Sequence, residues 1–196
     1  MEEVRDIKKF AKRNAVPIMQ DEGLEFMCNY IRRHNIKTVL EIGTAIGYSS
    51  IQFAKSGDDV KVTTIELDID RHILAKQNIN DCGLGDRITA INADAGQYEF
   101  PKNENSKFDL IFIDGPKAQY IKFFEKYKNN LAEGGVIISD NLKFHGMVDD
   151  LTLTHNYSTK KLVKKIIKYI TFLKNNQEFE TEFFEAGDGI SVSRRK

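Results

Sequence analysis

The hydrophobic positions of this chain change rhythm twice. Residues 1–13 carry apolar Val4, Ile7 and Phe10 at helical spacing, followed by a loop around Val16-Pro17-Ile18-Met19. Residues 22–34 predict a second helix, with Leu24, Met27, Cys28 and Ile31 on one side. From there, short β-rich runs and helical stretches take turns. Thr38–Ile42 is a strand ending at Gly43, and a helix follows from about Gly47 to Lys55. Val60–Glu66 is a strand, and Asp70–Cys82 is a helix that stops near Gly83-Leu84-Gly85. Arg87–Asn92 and Phe108–Asp114 are strands, the second apolar enough to be buried on both faces. Gln119–Leu131 is a helix closed by Gly134-Gly135, and Val136–Ser139 is the next strand. Strands and helices of these lengths, in alternation, predict a parallel sheet covered by helices on both faces.

The end of the chain departs from this order. After a helix at about residues 159–174, the strand-like runs Phe179–Ala186 and Ile190–Ser193 are separated only by Gly187-Asp188-Gly189. So short a connection makes a hairpin, and a hairpin makes antiparallel neighbours. The expected fold is therefore α/β, a doubly wound and mostly parallel seven-stranded sheet whose last strand is reversed. One domain is expected over residues 1–196, with residues 1–35 as a helical segment packed on it. Doubly wound sheets that bind NAD normally lack the terminal hairpin.

Composition narrows the class of protein. The 196 residues include 41% hydrophobic and 30% charged side chains, ordinary for a soluble domain. No apolar run reaches the roughly 20 residues that span a bilayer, and MEEVRDIKKFAKRN lacks the apolar core of a secretion signal. Cys28 and Cys82 are too few for a disulfide framework or a cysteine zinc site. A reducing cytoplasm is the expected compartment, with no membrane contact. Lys plus Arg and Asp plus Glu balance at 29 each, so any nucleic-acid contact would have to be local.

The first strand runs into Gly43-Thr44-Ala45-Ile46-Gly47, which turns and opens a helix. In an open α/β sheet such a turn borders the ligand crevice. The Gly-x-x-x-Gly spacing differs from the Gly-x-Gly-x-x-Gly of a pyrophosphate-binding turn, which favours a nucleoside without a pyrophosphate. The second strand ends in Glu66, whose carboxylate can accept both hydroxyls of a ribose. The third ends in Asn92-Ala93-Asp94-Ala95, where Asp94 and the next backbone N–H can hold an adenine edge.

This segment resembles the glycine-rich motif of class I S-adenosylmethionine-dependent methyltransferases, whose sheet also ends in a reversed strand. The resemblance covers nearly the whole chain. It implies that Glu66 binds the ribose and that Asp94 and Ala95 lie by the adenine. It places Ser49 and the backbone at Gly43 near the amino-acid end of S-adenosylmethionine, with Glu41, Thr44, Gly47 and Asp114 in the same cofactor set.

Two further strand ends carry acids, Asp114 in IDGPKAQY and Asp140-Asn141 after VIIS. Two carboxylates and an amide oxygen are hard ligands suited to Mg²⁺. Lys117, three residues after Asp114, can take a proton or stabilise an anion beside it, so Lys117 and Asp114 are the catalytic candidates. A module that merely held the cofactor would need neither the lysine nor the metal set.

The pattern Asp-x-x-Lys-x-x-Tyr followed by Asp-Asn, here Asp114, Lys117, Tyr120, Asp140 and Asn141, resembles the metal-dependent O-methyltransferases, which include catechol and caffeoyl-CoA O-methyltransferases. VPIMQDEG, EIGTAIGYSS and IDGPKAQY together resemble the bacterial tRNA 5-hydroxyuridine methyltransferases, although the stretch before Val16 is shorter than in that group. This last resemblance implies that Met19 contacts the cofactor and that the acceptor is 5-hydroxyuridine at the wobble position of a tRNA anticodon loop. A small catechol-like molecule is the alternative acceptor, because it offers a similar vicinal oxygen pair. A homodimer is also implied.

Other residues carry weaker signals. Lys160, Lys161, Lys164, Lys165 and Lys168 fall on one helical face, opposite Leu162, Ile166, Ile170 and Leu173. That face is either solvated or a contact for RNA phosphates. Phe144 could stack on a flat acceptor, and His145 could gate the site.

Overall fold

The computed structural model describes residues 2–103 and 106–196. Seven strands form one sheet: β1 (Thr38–Ile42), β2 (Lys61–Glu66), β3 (Ile88–Asn92), β4 (Phe108–Ile113), β5 (Leu131–Ser139), β6 (Phe179–Phe184) and β7 (Ile190–Arg195). Their order is β3-β2-β1-β4-β5-β7-β6. β1 to β5 pair in parallel, and β7 runs antiparallel to both β5 and β6. The reversed last strand is thus slotted between β5 and β6.

Alternation along the strands sends side chains to two cores. Val39, Val62, Leu110, Phe112, Val136, Ile138 and Val192 face one side. There they meet α1 (Glu2–Arg13), α2 (Asp21–Arg33), α3 (Tyr48–Ala54) and α4 (Ile69–Asp81) through residues such as Ile7, Met27, Ile51, Phe53 and Ile79. Leu40, Ile42, Ile111, Ile113 and Ile137 face the other side and meet α5 (Tyr120–Tyr127) and α6 (Tyr157–Lys174) through Phe123, Phe124, Ile166 and Tyr169. A sheet buried on both faces needs such near-continuous apolar strands, and this is why FDLIFI carries so little polarity.

The helix starts are set locally. Asp68 caps α4, its carboxylate accepting from the N–H groups of Asp70 and Arg71, and Asn156 caps α6 through Thr159 N–H. In α2, Asp21 and Glu22 lie in the first turn and Arg32 and Arg33 in the last, complementing the helix dipole.

Two sequence expectations are corrected. The helix expected over Gln119–Leu131 ends as an α-helix at Tyr127, with 3₁₀ turns at Lys117–Gln119 and Lys128–Asn130 on either side. Gly134-Gly135 does not close that helix but lies inside β5, which begins at Leu131. The pairing with β4 shifts register there, Gly134 has φ +72°, and a Cβ on Gly135 would come within 2.9 Å of the Asp109 carbonyl. The glycines permit a bulge and a close strand approach, and a pattern of residue types alone does not separate that from a helix end. In α6 the buried residues are Val163, Ile166, Tyr169 and Leu173, whereas Leu162 and Ile170 are only half-buried.

The chain leaves β1 towards one edge of the sheet and β4 towards the other. The crevice beyond the carboxyl ends of β1 and β4 is therefore the topological switch point. Among the described residues no helix is long and apolar enough to cross a membrane.

Candidate active site

At the switch point lies a cavity of about 720 Å³. Met19, Gly43, Glu66, Asp94, Ala95, Asp114, Lys117 and Asn141 all line it. These eight expected site residues come from six separate segments, five of them at strand ends and the sixth, with Met19, the loop between α1 and α2.

Glu41, Thr44, Gly47 and Ser49, expected at the cofactor, are not among the lining residues. Glu41 is wholly buried and accepts hydrogen bonds from Ser49 Oγ at 2.5 Å, from Thr64 Oγ1 at 2.6 Å and from Ser50 Oγ. Thr44 Oγ1 lies 2.6 Å from Thr64 Oγ1. Gly47, at φ +82°, precedes the first residue of α3, where a Cβ would lie 3.4 Å from Ala75. This group is the support under the glycine turn. Burial pushes the Glu41 carboxyl up to about 7, against the pull of its three hydroxyl donors.

Gly43 serves a different need from the one expected. At φ +106°, a Cβ there would be 2.5 Å from the Asp114 carbonyl oxygen, so glycine lets the ends of β1 and β4 touch. Glu66 is also more occupied than expected. One carboxylate oxygen accepts Ala45 N–H at 2.8 Å and the other accepts Asp68 N–H at 2.9 Å, so the same side chain ties the glycine turn to β2 and borders the cavity. Asp94 accepts Gly96 N–H at 2.7 Å, and Tyr127 Oη donates to the Ala95 carbonyl at 2.6 Å, fixing the turn after β3 from below.

The other half of the cavity holds the acids. Asp114 accepts a hydrogen bond from Lys117 Nζ at 2.9 Å, and that ammonium stands 5.5 Å from the ring centre of Tyr120. Burial raises the Asp114 carboxyl, and Lys117 opposes the rise. Asp140 is 2% exposed and stands behind the lining residues, its Oδ1 accepting Asn141 N–H at 2.7 Å. Burial, and then the charge of Asp114, push Asp140 up to about 7. Tyr120 Oη donates to the Asp140 carbonyl at 3.2 Å, tying the start of α5 to the end of β5. Asn141 itself sits at φ +60°, a left-handed conformation that asparagine tolerates better than most residues. Among the described residues, no three His, Cys, Asp or Glu side chains form a metal-holding group.

Phe144 and His145, singled out in the sequence, both line the cavity. Asp188 does too, and sequence reasoning gave it no role beyond a hairpin turn. The only available signal was an acid placed between two glycines, which a simple turn would explain equally well. Pro17, Ile18 and Gln20 join Met19 along the wall opposite, making a loop expected to contribute one residue into a continuous edge.

With this geometry in hand, similarity to known proteins is informative. The O-methyltransferase family model matches residues 1–196. Caffeoyl-CoA O-methyltransferase of Populus kitakamiensis is 26% identical over 193 residues, covering 96% of this chain and 82% of that protein. A solved Staphylococcus aureus structure, provisionally described as a caffeoyl-CoA O-methyltransferase, superposes with a TM-score of 0.91 at 38% identity. That match covers 98% of this chain and 92% of the other. An O-methyltransferase from Bacillus cereus in complex with SAH shares the fold, with a TM-score of 0.84 at 24% identity over 100% of this chain and 91% of that one. This chain belongs to the O-methyltransferase family and is an S-adenosylmethionine-dependent methyltransferase of the caffeoyl-CoA O-methyltransferase type.

Proposed function

We propose that this enzyme methylates one hydroxyl of a vicinal oxygen pair with the help of Mg²⁺, and that its acceptor is 5-hydroxyuridine at the wobble position of tRNA, giving 5-methoxyuridine. The observation that carries the metal is the charge imbalance at the ends of β4 and β5. Asp114 and Asp140 directly follow the paired residues Ile113 and Ser139, Asp140 buried and Asp114 half-buried, while a single ammonium, Lys117, is hydrogen-bonded to Asp114. A divalent cation offsets two carboxylates where one lysine does not, and the donor set is wholly oxygen. The residues fit the ion, and Asp114, Asp140 and Asn141 would hold it. Bound there, Mg²⁺ acts as a Lewis acid that lowers the pKa of an acceptor hydroxyl and fixes its direction.

The chain's own residues then divide the work. Met19, Gly43, Glu66, Asp94 and Ala95 line the part of the cavity that would take S-adenosylmethionine, with Glu41, Thr44, Gly47 and Ser49 stiffening the turn between them. Asp114 lines the cavity at the junction of the two halves. Lys117 offers its ammonium, held by Asp114, to the acceptor oxygen once that hydroxyl has released its proton to water. The methyl then passes to the oxygen as its bond to the sulfonium sulfur breaks, and Phe144 gives a flat acceptor a ring to lie against. Holding acceptor and methyl donor in one cavity converts a bimolecular displacement into an oriented one.

Support for tRNA comes from the sequence resemblance and from α6. Lys161, Lys164, Lys165 and Lys168 are exposed, and among the described residues none of them is in an ion pair. α6 packs beside the Lys117–Gln119 turn and follows the segment that carries Phe144. An anticodon loop presents unstacked bases that can be splayed into such a cavity while its stem phosphates meet basic side chains. A homodimer follows from the same resemblance. The second reading, a small catechol-like acceptor, is favoured by the names of relatives such as the Populus enzyme.

Incubation with labelled cofactor, Mg²⁺ and tRNA carrying 5-hydroxyuridine, in parallel with a free catechol, decides between them. Label in 5-methoxyuridine, and its loss from tRNA of cells lacking the gene, is the expected result. Efficient labelling of the catechol with none in tRNA would leave the small-molecule reading standing and the tRNA one overturned.

A further inference from the structure

The β6–β7 turn does more than reverse the chain. Asp188, at its centre, is 6% exposed and lines the cavity. Its Oδ1 accepts His145 N–H at 2.6 Å, its carbonyl accepts Lys143 N–H at 2.7 Å, and the Gly189 carbonyl accepts Leu142 N–H at 3.0 Å. These bonds tie the turn to a segment in which Phe144, His145 and Gly146 are all left-handed, at φ +45°, +57° and +79°. Residues with a Cβ hold that conformation only where their surroundings impose it.

The turn also touches the opposite wall. A Cβ on Gly187 would come within 3.1 Å of Gly23 N, in the first turn of α2 just after Pro17–Gln20, and one on Gly189 within 2.9 Å of Lys143 Cγ. The hairpin is therefore wedged between the wall that carries Met19 and the wall that carries Phe144.

We infer that Asp188 is a positioning residue for the acceptor, its carboxylate fixing Phe144 and His145 as the wall against which the acceptor ring lies beside Asn141. The inference rests on the methyl-transfer reading above. A plain turn would not need a buried acid here, because taking a carboxylate out of water costs free energy. A charged acceptor does, however, make a shorter and stronger bond to a backbone N–H than a neutral one. That suits a segment whose backbone must be held against its own preference. His145 Nδ1 is 3.9 Å from the second carboxylate oxygen and its side chain is 64% exposed, so the main-chain bond, not the imidazole, is the tie.

The test compares wild type, Asp188→Ala, Asp188→Asn, Phe144→Ala and the double variant Asp188→Ala/Phe144→Ala. Acceptors are tRNA carrying 5-hydroxyuridine and 3,4-dihydroxybenzoate, with S-adenosylmethionine affinity measured separately by calorimetry. Asp188→Ala should raise the KM of the methylated acceptor by about ten-fold, leave cofactor affinity within about two-fold, and speed amide hydrogen exchange over residues 142–147 of the ligand-free protein. Asp188→Asn, whose amide oxygen can still accept from His145 N–H though without the charge, should recover part of both. In the double variant the loss of Asp188 should add little once Phe144 is gone, since coupled residues are not additive.

An acceptor KM unmoved by Asp188→Ala, or an Asp188→Asn whose KM and exchange are as impaired as those of Asp188→Ala, would overturn the inference while leaving the methyl-transfer reading intact. A wild type inactive towards both acceptors would overturn that reading and the inference with it. Should Asp188→Ala fail to fold, Asp188→Asn and Phe144→Ala carry the test, and an unchanged KM in Phe144→Ala is then the overturning result.

Discussion

The two halves of the crevice are built on opposite electrostatic plans. Around the ends of β1, β2 and β3 the acids are already satisfied: Glu66 by two backbone N–H groups, Asp94 by a third, Glu41 by three hydroxyls. Around the ends of β4 and β5, Asp114 holds Lys117 and Asp140 accepts Asn141 N–H, yet the charge of Asp114 still raises Asp140. There Asn141, Phe144 and His145 are left-handed, where the glycine turn has Ala45 alone among its Cβ-bearing residues. The first half is complete before any ligand arrives. The second keeps like charges and left-handed backbone together, the kind of cost that active sites set against stability. A cofactor common to many reactions can use a finished socket, whereas the chemistry-specific half is where the chain carries its cost.

The largest effects should follow from disturbing that second half. EDTA, or Asp140→Asn, should lower turnover by roughly a thousand-fold or more, the order expected when a group stabilising transition-state charge is lost, while cofactor affinity stays within a few-fold. The same Asp140→Asn should make the metal-free protein more stable by roughly 1–3 kcal/mol, because it removes a buried like-charge contact. Methyl-transfer assays with and without chelator, beside urea unfolding of the apo proteins, measure both. Full activity in chelator would sink the metal assignment, and a destabilised Asp140→Asn would show that the two halves do not differ as described.

The next effect belongs to the first half. Glu66→Ala should weaken S-adenosylmethionine binding by roughly 1–3 kcal/mol, since polar groups in the cavity lose their partner. It should also lower stability by about 1–2 kcal/mol, because the N–H groups of Ala45 and Asp68 lose theirs. Calorimetric titration and thermal unfolding of one preparation separate the two losses. An unchanged affinity would move the ribose site elsewhere in the cavity.

Glu41 sharpens the comparison, as an acid of the first half that burial disfavours. Its carboxyl is raised from the ordinary 4.5 to about 7, so between those pH values the native state holds a proton that the unfolded chain has released. That contribution to stability is fully present below about pH 4.5 and is lost as pH rises through about 7. Since one pKa unit corresponds to about 1.4 kcal/mol, the loss is at most about 3.5 kcal/mol. Glu41→Gln should flatten this slope in apo-protein stability measured from about pH 5 to pH 8. A slope unchanged in Glu41→Gln would mean that the acids of the second half account for all of it.

Most of the fold was legible because a sheet buried on both faces writes its strands as apolar runs, and FDLIFI or VIIS admits few other readings. The reversed strand was legible from the Asp-Gly hairpin. Gly134-Gly135 misled because glycine marks a bulge and a helix end alike, and only the nearness of the Asp109 carbonyl tells them apart. Within the site, residues at strand ends, such as Glu66, Asp94 and Asp114, were found at the cavity, since topology alone puts them there. Glu41 and Ser49 lie one layer below because side chains alternate along a strand and around a helix, and their motif says nothing about which layer faces the ligand. Asp188 was missed because its distant position in the chain reaches the site only through the pairing of β7 with β5.

The smallest effect tests how far the second half extends. From Asn141 the chain passes through Phe144 and His145 and enters α6, whose exposed Lys164 and Lys165 follow Tyr157, 71% exposed, at its first turn. If stem phosphates of tRNA lie along this helix, each lysine that meets one releases a counterion, and binding weakens with salt by a slope of roughly 0.7–0.9 per contact. The double variant Lys164→Ala/Lys165→Ala should then raise the KM for tRNA by about three- to ten-fold near physiological salt and lower the salt slope by roughly 1.5. Cofactor affinity should not move, because neither lysine lines the cavity. Methylation of a free catechol should be indifferent both to the lysines and to salt, because a small acceptor enters the cavity without touching α6. Steady-state kinetics at several potassium chloride concentrations, run on both acceptors, read all of this in one series. An unaltered slope would confine the acceptor half to the cavity and make the lysine face a solvated surface. A reduced slope for tRNA alone would extend that half along the helix and tie the basic face to the chemistry at Asp114.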